Sequence, residues 1–261
     1  GTRKLLQKKI NGSVLSLVQG ISAIDNYGHW ILDILPKLYM AIKFRNLNNY
    51  DAIYLPNINK HFQKQSLKYF KLDEKKIIDG SKIRHIQATE IIIPQHPYWE
   101  KNLHQLKAVE NIDKDFVKWL RKIFLNNIIK TKKKKKIIID RSDSTYNHNQ
   151  IQNKKFIYSR LKKLNFEIVQ LSKLSFQKQI KYFFNASCII SPHGAGLTNI
   201  IFCNPKTKII ELCNKDFNCK VFKNISKINN LKYKNIKSKK INKNIDGDIN
   251  IPFKKLESFI A

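Results

Sequence analysis

The chain has 261 residues, enough for one large domain or two small ones, and 42% of them are hydrophobic, which is sufficient for a packed core. No apolar run is long enough to span a bilayer, and the four cysteines form no C-x-x-C pair, which argues against a zinc finger and requires no oxidising compartment. The formal net charge is +31, from 50 Lys and Arg against 19 Asp and Glu. Such an excess suits a phosphate-bearing partner or an anionic membrane, but a lysine-rich composition that keeps the surface solvated gives the same number.

The first half of the chain mixes short strands with longer helices. Apolar residues at spacings of three and four predict helices at residues 26–44, 61–70 and 106–126. Strands are predicted at residues 13–18, 52–56, 76–78, 83–86 and 90–94, with a loop at residues 20–25. Pro36 should bend the first helix, and the loop 95–100, rich in Pro, His and aromatic residues, suits the wall or lid of a cleft.

The second half alternates strands with helices, which predicts a parallel sheet covered by helices. Strands are predicted at residues 137–140, 166–171, 188–191 and 208–212, and helices at 151–164, 175–185, 197–202 and 252–260. The lysine tract 132–136 separates the halves, so we place an N-terminal domain at residues 1–130 and a C-terminal domain at 131–261. The Lys- and Asn-rich segment after Phe222, up to residue 250, is predicted to be partly irregular.

The most informative stretch is residues 188–212, where a strand, a glycine turn, a short helix and a second strand follow one another. Gly194 and Gly196 would let a ligand approach the main chain. The first turn of a helix has free N–H groups, which favour an anion, and His193 adds a donor. A nucleotide with a diphosphate fits this arrangement, whereas a tight turn without a ligand explains the glycines alone.

Further residues are placed to contact the same ligand. Glu211 follows Gly194 by 17 positions (211 − 194), and in nucleotide-binding α/β folds an acidic residue at about 20 positions holds the ribose hydroxyls. Arg141 ends an earlier strand of the sheet, where it could bind a diphosphate or make an ordinary surface salt bridge. The predicted donor-binding residues are Arg141, His193, Gly194, Ala195, Gly196, Thr198, Asn199 and Glu211.

A second polar group lies on the helix 26–44. Asn26, His29, Asp33 and Lys37 are spaced by 3, 4 and 4 residues, so their side chains stack along one line, while Trp30 begins the apolar face. Such a line is either a solvated helix face or part of a site.

Several of these segments together resemble glycosyltransferase family 61. Residues 26–38 (NYGHWILDILPKL) resemble the family signature N-x-x-H-W-x-x-D-x-L-P-R-L, and residues 139–142 (IDRS) resemble its strand ending in arginine. Residues 191–202 (SPHGAGLTNIIF) resemble its most recognisable segment, and Glu211 matches the acidic residue that ends the next strand. The resemblance covers residues 26–212, with the motifs in the family's order.

The resemblance implies a metal-independent, inverting glycosyltransferase with a GT-B-like α/β fold, in which two Rossmann-like domains with mostly parallel sheets face a cleft. The C-terminal domain would hold a nucleotide sugar, for which a UDP sugar is expected, and no metal or other cofactor is expected. The N-terminal domain would take the acceptor, which is a glycan, a lipid-linked glycan or a glycoprotein.

The resemblance also implies roles for single residues. Arg141, His193, Gly194 and Glu211 would bind the donor, His29 and Asp33 would face the reacting centre, and Asn26 and Trp30 would lie on the acceptor side. Three positions depart from the family pattern: Lys37 replaces an arginine, residues 146–148 replace a second arginine after Arg141, and Lys154 replaces the acidic partner of Asn153. These departures bear on the identity of the donor.

Inverting transfer needs a base for the acceptor hydroxyl and positive groups for the leaving diphosphate. Asp33 is one candidate for the base, with His29 orienting it or contacting the acceptor, and the reverse assignment is the other. Arg141, His193 and the backbone of the turn would offset the diphosphate charge, which is why no divalent cation is expected.

Two other classes of function stay open. One is a catalytically silent relative that binds a sugar nucleotide or a glycan. The other is a basic nucleic-acid-binding protein, although the chain has no arginine-rich reading helix, zinc finger or RNA-binding aromatic motif, so no nucleic-acid partner is expected. The expected setting is bacterial or viral glycan assembly in the cytoplasm, either free or peripheral at the inner face of an anionic membrane.

Overall fold

The computed structural model describes residues 7–18, 25–100, 103, 105–131, 134–144, 149–238 and 247–260. The chain divides into two units, Gly1–Val109 and Glu110–Ala261. In the described residues each unit contains a parallel sheet with helices, which confirms the predicted α/β class. Of the loop predicted at residues 20–25, all but Asp25 lies outside the described residues, as do residues 146–148 and the start of the lysine tract.

The first unit is organised by a parallel sheet whose strand order, among the described residues, is β3-β2-β1-β4. Val14 of the central strand pairs with Ala52 on one side and Ile91 on the other. The elements are β1 (Gln7–Ser16), α1 (Tyr27–His29), α2 (Leu35–Phe44), β2 (Ala52–Leu55), α3 (His61–Leu67), β3 (Ile77–Asp79), β4 (His85–Ile92) and α4 (Gln105–Ala108).

The helix predicted at residues 26–44 forms, and a π-helical turn, Trp30–Ile34, joins α1 to α2. Pro36 lies in the first turn of α2 and has no N–H to give to the Leu32 carbonyl four residues earlier. At this turn the Leu35 N–H bonds to the Trp30 carbonyl, five residues back. Where a bend was predicted at Pro36, the helix has one wider, π-helical turn immediately before the proline.

The second unit is organised by a parallel sheet with the order β6-β5-β7-β8-β9 in the described residues. Its register places Ser191 of β7 opposite Glu211 of β8, and Glu211 opposite Asn235 of β9. The elements are α5 (Lys114–Leu125), β5 (Lys135–Ile139), α6 (Lys154–Lys163), β6 (Phe166–Val169), α7 (Phe176–Phe184), β7 (Ala186–Pro192), β8 (Lys208–Asn214), α8 (Val221–Ile228), β9 (Lys232–Ser238) and α9 (Phe253–Ile260). A 3₁₀ helix, Ala195–Phe202, follows β7.

The segment after Phe222 is more regular than predicted. It continues α8 and then forms β9, which pairs along its whole length with β8. The regular parts are residues 223–228 and 232–238, and β9 forms because it gains a ladder of backbone hydrogen bonds to β8 even though most of its side chains are lysines or polar. Glu211 consequently lies inside a strand with neighbours on both sides instead of at a strand end.

The division between the units falls at residues 109 and 110, whereas the lysine tract suggests a division at residues 130 and 131. The helix predicted as continuous over residues 106–126 is interrupted at Asp113, whose side chain caps the start of α5 through the Asp115 N–H. Phe124 of α5 packs edge-on against Phe176 and Phe202 of the second unit. The interruption therefore assigns α5 to the second core.

Apolar residues from β5, β7, β8 and β9 form the core of the second unit together with side chains of α6 and α9. Ile190, Leu212 and Ile236 lie in that core and are fully buried. Along the described residues, no helix combines the length and the apolar character needed to cross a bilayer.

Candidate active site

In the first unit, a histidine and a buried carboxylate form a pair at the π-helical turn. His29 Nδ1 lies 2.7 Å from Asp33 Oδ2, and the two residues are one turn apart on the same helix. The side chain of His29 is 29% exposed and that of Asp33 only 4%. Of the two, only the imidazole presents a sizeable surface to a substrate.

The charge state of Asp33 follows from its neighbours. Burial alone would raise the pKa of Asp33, but hydrogen bonds and charge interactions with His29 and His96 outweigh it, and its pKa is lowered. Asp33 is therefore ionised at neutral pH and accepts the Nδ1 proton of His29. A neutral His29 then has its free lone pair on Nε2, so the pair is an imidazole base oriented by a carboxylate.

Two other residues predicted for the acceptor side have structural contacts. Asn26 begins the helix, because its Oδ1 accepts hydrogen bonds from the backbone N–H groups of Gly28 (2.8 Å) and His29 (3.3 Å). Trp30 is fully buried, and its Nε1 donates to Ser66 Oγ at 2.9 Å. These contacts fix the direction of the helix and hence the position of His29. Asn26 Oδ1 and Trp30 Nε1 are both used in contacts within the protein.

In the second unit, the turn after β7 brings together three residues predicted to bind the donor. Gly194 has a φ of 155°, which side-chain-bearing residues rarely adopt, and a methyl group there would overlap the Arg141 guanidinium. Arg141 Nη1 donates to the carbonyl of His193. Arg141, which follows β5, therefore lies against the turn in the space that the missing side chain of Gly194 leaves.

The remaining residues of the turn are mostly packed inward. A methyl group at Gly196 would come within 2.6 Å of Leu171, so this glycine allows close packing of the helix. Thr198 and Asn199, which the sequence suggests as lining residues, are buried, and Asn199 Nδ2 donates to Gln179 Oε1 at 3.1 Å. Thr198 Oγ1 has no hydrogen-bond partner among the described residues. Ala195 and Gly196 begin the 3₁₀ helix, whose first N–H groups have no intrahelical partner.

Glu211 binds His193 and is not free to face solvent. Its Oε1 accepts from His193 Nδ1, and its Oε2 accepts from the Tyr233 hydroxyl and from Asn235 Nδ2 (3.4 Å). The side chain of Glu211 is 1% exposed and that of His193 is 14% exposed. Burial, followed by the charge of Glu211, raises the pKa of Tyr233, so this hydroxyl stays protonated and donates. The geometry favours an orienting role for Glu211, and the predicted contact with a ribose stays a prediction.

The part of the chain that the structure describes contains no group of three or more His, Cys, Asp or Glu side chains arranged to hold a metal ion. The imidazole of His193 is instead flanked by aromatic rings, with centroid distances of 4.2 Å to Phe217 and 5.1 Å to Phe222. Aromatic packing on one side and Glu211 on the other leave His193 little rotational freedom.

Comparison with known proteins decides the family. The family model described as Glycosyltransferase 61 matches residues 27–210, well over half of the chain. This chain belongs to glycosyltransferase family 61. The family match spans both units and includes His29, Asp33, Arg141 and the turn at Gly194.

Two individual proteins were compared with this family 61 chain. Over 63 residues, which are 24% of this chain and 12% of the other, it is 38% identical to a beta-1,2-xylosyltransferase of Arabidopsis thaliana, so it spans only a small part of that relative. Among solved structures, the iron-containing dodecameric glycosyltransferase TibC of enterotoxigenic E. coli aligns with 81% of this chain and 60% of its own. The TM-score is 0.38 and the identity 12%.

One departure from the family 61 pattern has a structural explanation. Lys37, where the family usually has arginine, is buried on α2, and its Nζ donates to the Val18 carbonyl at 2.8 Å. Burial lowers the pKa of Lys37. The lysine therefore fixes the end of β1 against the helix and does not reach Asp33, one turn earlier, as a counter-charge.

Each unit adds two residues that were not predicted individually to its own histidine–carboxylate pair. His96 and Tyr98 follow β4 and contact the π-helical turn through the Leu32 carbonyl. Tyr233 and Asn235 on β9 contact Glu211. The composition of the loop 95–100 was a signal for the first two, whereas the second two depend on a strand that the sequence pattern does not indicate.

Proposed function

We propose that this protein is an inverting glycosyltransferase that moves a sugar from a nucleotide sugar to a hydroxyl group of a glycan, a lipid-linked glycan or a glycoprotein. In this proposal the first unit supplies the base and binds the acceptor, and the second binds the donor. A UDP sugar is the proposed donor, and the reaction is proposed to need no divalent cation.

The observation that carries the proposal is the His29–Asp33 pair. Its imidazole is accessible, its carboxylate is buried, and the short contact between Nδ1 and Oδ2 leaves Nε2 as the basic atom. Of the two assignments that the sequence left open, this geometry favours His29 as the base. The acceptor hydroxyl would give its proton to Nε2 while its oxygen forms the bond to the anomeric carbon, and Asp33 would stabilise the imidazolium.

The second unit supports the other half of the reaction. As the bond from the anomeric carbon to the diphosphate breaks, negative charge grows on the leaving oxygen. Arg141 and His193 meet at Gly194, and the 3₁₀ helix begins there, so positive charge and N–H donors lie beside one turn. Glu211 orients His193 through Nδ1, so Nε2 is its other ring nitrogen, and that nitrogen donates to a phosphate oxygen when the imidazole carries both protons.

The test is an assay of the full chain against a panel of UDP, GDP and other sugar nucleotides with mixed glycan acceptors, each with and without a chelator. Products are detected by mass spectrometry and donor binding by calorimetry. We expect transfer from one donor that the chelator does not reduce. Loss of transfer on chelation would contradict metal independence, and binding without turnover under all conditions would identify a catalytically silent relative.

A matched variant connects the assay to the site. Arg141→Lys keeps a positive charge but loses the planar guanidinium that fits the turn, so we expect weaker donor binding by about tenfold. Arg160→Lys, on the exposed face of α6, is the control and should bind the donor as the wild type does. Equal affinity of all three proteins would show that the donor binds elsewhere.

A further inference from the structure

The loop after β4 brings two donors to one backbone carbonyl. His96 Nε2 lies 3.1 Å from the Leu32 carbonyl oxygen, and the Tyr98 hydroxyl donates to the same atom. In a regular α-helix that oxygen would accept from the N–H of residue 36, but residue 36 is a proline. The sequence of the helix thus leaves an acceptor beside Asp33, and the loop supplies donors for it.

The same imidazole also reaches the carboxylate of the proposed base pair. His96 Nε2 lies 3.7 Å from Asp33 Oδ1, while His29 Nδ1 binds the other carboxylate oxygen at 2.7 Å. The side chain of His96 is 10% exposed, and its ring packs edge-on against Tyr98 with a centroid distance of 4.2 Å. Asp33 is therefore held between two imidazoles, one accessible and one buried.

Packing alone does not explain a histidine at this position. His96 Nδ1 is buried and has no hydrogen-bond partner among the described residues. Leaving a buried polar atom unpaired is destabilising, and a phenylalanine would fill similar space without that cost. A phenylalanine would lack the Nε2–H. The contacts of this N–H group therefore explain why a histidine is found at this position.

We propose that His96 is a positioning residue for the transfer reaction, a role that rests on the proposed function of His29. Its Nε2–H donates to the Leu32 carbonyl at the π-helical turn and, at 3.7 Å from Asp33 Oδ1, acts on the carboxylate electrostatically. Asp33 then stays ionised and fixed, the shared proton stays on His29 Nδ1, and His29 Nε2 is the atom that meets the acceptor. His96 itself does not contact the substrate.

The electrostatic environment of Asp33 makes this role measurable. The titratable groups that act on Asp33 in the described residues are His29 from its own helix and His96 from the loop. Lys37, the next charged residue along that helix, binds the Val18 carbonyl instead. Removal of the His96 donor should therefore raise the pKa of Asp33, because one of the two interactions that offset its burial is lost.

The experiment compares three variants of the full chain. His96→Phe removes the donor, and His96→Gln keeps an N–H near the position of Nε2. Tyr98→Phe removes the other donor to Leu32, and Tyr98 is not among the groups that shift the pKa of Asp33. The first readout is the titration of the Asp33 carboxyl carbon by NMR, assigned by its absence in Asp33→Asn. The second is kcat for sugar transfer alongside KM for the donor.

We expect His96→Phe to titrate Asp33 at higher pH and to lower kcat by about 10–100-fold with an unchanged donor KM, since the base pair is misplaced. His96→Gln should restore most of both properties, and Tyr98→Phe should leave the Asp33 titration at its wild-type position. If His96→Phe does not fold, His96→Asn, whose amide is too short to reach Leu32, replaces it.

A wild-type Asp33 titration in His96→Phe, or an equal shift in Tyr98→Phe, would overturn the proposal. The NMR measurement needs no turnover, so it also separates the two claims. If the wild type transfers no sugar and His96→Phe still shifts the Asp33 titration, the positioning of Asp33 stands and the proposed reaction fails.

Discussion

In the described residues, each unit of this protein contains a histidine whose Nδ1 binds a buried carboxylate, and the two pairs are built differently. His29 and Asp33 are one turn apart on one helix, and the imidazole is about twice as exposed as that of His193. His193 and Glu211 come from the neighbouring strands β7 and β8, and Tyr233 and Asn235 occupy the second carboxylate oxygen. The comparison teaches that the more exposed imidazole is the better placed to exchange a proton with an acceptor, whereas the imidazole held by a network is the better placed to keep a fixed orientation.

The largest effect is expected at His29. His29→Gln removes the base and should lower kcat by about 10²–10⁴-fold. We expect a change in unfolding free energy within about 0.5 kcal/mol, because the position is partly exposed and the glutamine amide can still donate to Asp33. Single-turnover kinetics and urea unfolding measure the two quantities. His61→Gln, at the exposed start of α3, is the control. If His29→Gln transfers sugar as fast as this control, His29 is not the base, and the two pairs do not differ in catalytic role.

Substitution of Glu211 should mainly lower stability, whereas substitution of His29 should mainly lower activity. Glu211→Ala leaves His193 and Tyr233 without their partner inside the sheet and should lower the unfolding free energy by about 3–5 kcal/mol. Glu167→Ala breaks an exposed pair with Lys135 and should cost about 0–1 kcal/mol. Denaturant unfolding of both variants makes the comparison. Equal losses would mean that the Glu211 network is not a structural element.

Gly194 tests the contact between the turn and Arg141. Gly194→Ala strains a φ of 155° and displaces the guanidinium, so we expect a stability loss of about 1–3 kcal/mol together with weaker donor binding. Calorimetric titration with UDP measures the binding. Gly12→Ala, which strains a φ of 159° in the first unit, is the matched control and should retain donor affinity. If Gly194→Ala binds UDP with wild-type affinity, the turn at Gly194 is not part of the donor site.

The smallest effect concerns the pH dependence of stability. The pKa of Asp33 is lowered in the folded protein, so its contribution is fully present above the unfolded value of about 3.9 and is lost as pH falls through the folded pKa. The difference in unfolding free energy between wild type and Asp33→Asn should therefore shrink below about pH 4. Urea unfolding across this range measures it. A difference that is independent of pH would contradict the charge state assigned to Asp33.

The sequence predicted the first pair better than the second for a physical reason. His29 and Asp33 are four residues apart on a strongly patterned helix, and helical periodicity alone brings such side chains together. His193 and Glu211 meet because parallel register sets Ser191 opposite Glu211, and register is a property of the folded sheet. Sequence spacing placed both residues at one rim, but it did not indicate that one binds the other.

Other differences have local causes. β9 is rich in lysine, so its strand pattern is weak, although Tyr233 and Asn235 alternate as residues on one face of a strand do. Strands were predicted separately at residues 83–86 and 90–94 because residues 87–89 interrupt the apolar pattern, and pairing with β1 makes β4 continuous across them. The contacts of His96 depend on the carbonyl that Pro36 leaves unpaired, which a sequence pattern does not show.

The central claim is a single displacement in which His29 removes the acceptor proton and no covalent sugar–enzyme intermediate forms. The anomeric configuration of the product tests it most directly, by proton NMR of the new glycosidic linkage formed from the donor that the panel identifies. We predict inversion, so that an α-linked sugar nucleotide gives a β-linked product. A product that retains the α configuration would contradict the assignment of His29 as the base in a one-step transfer.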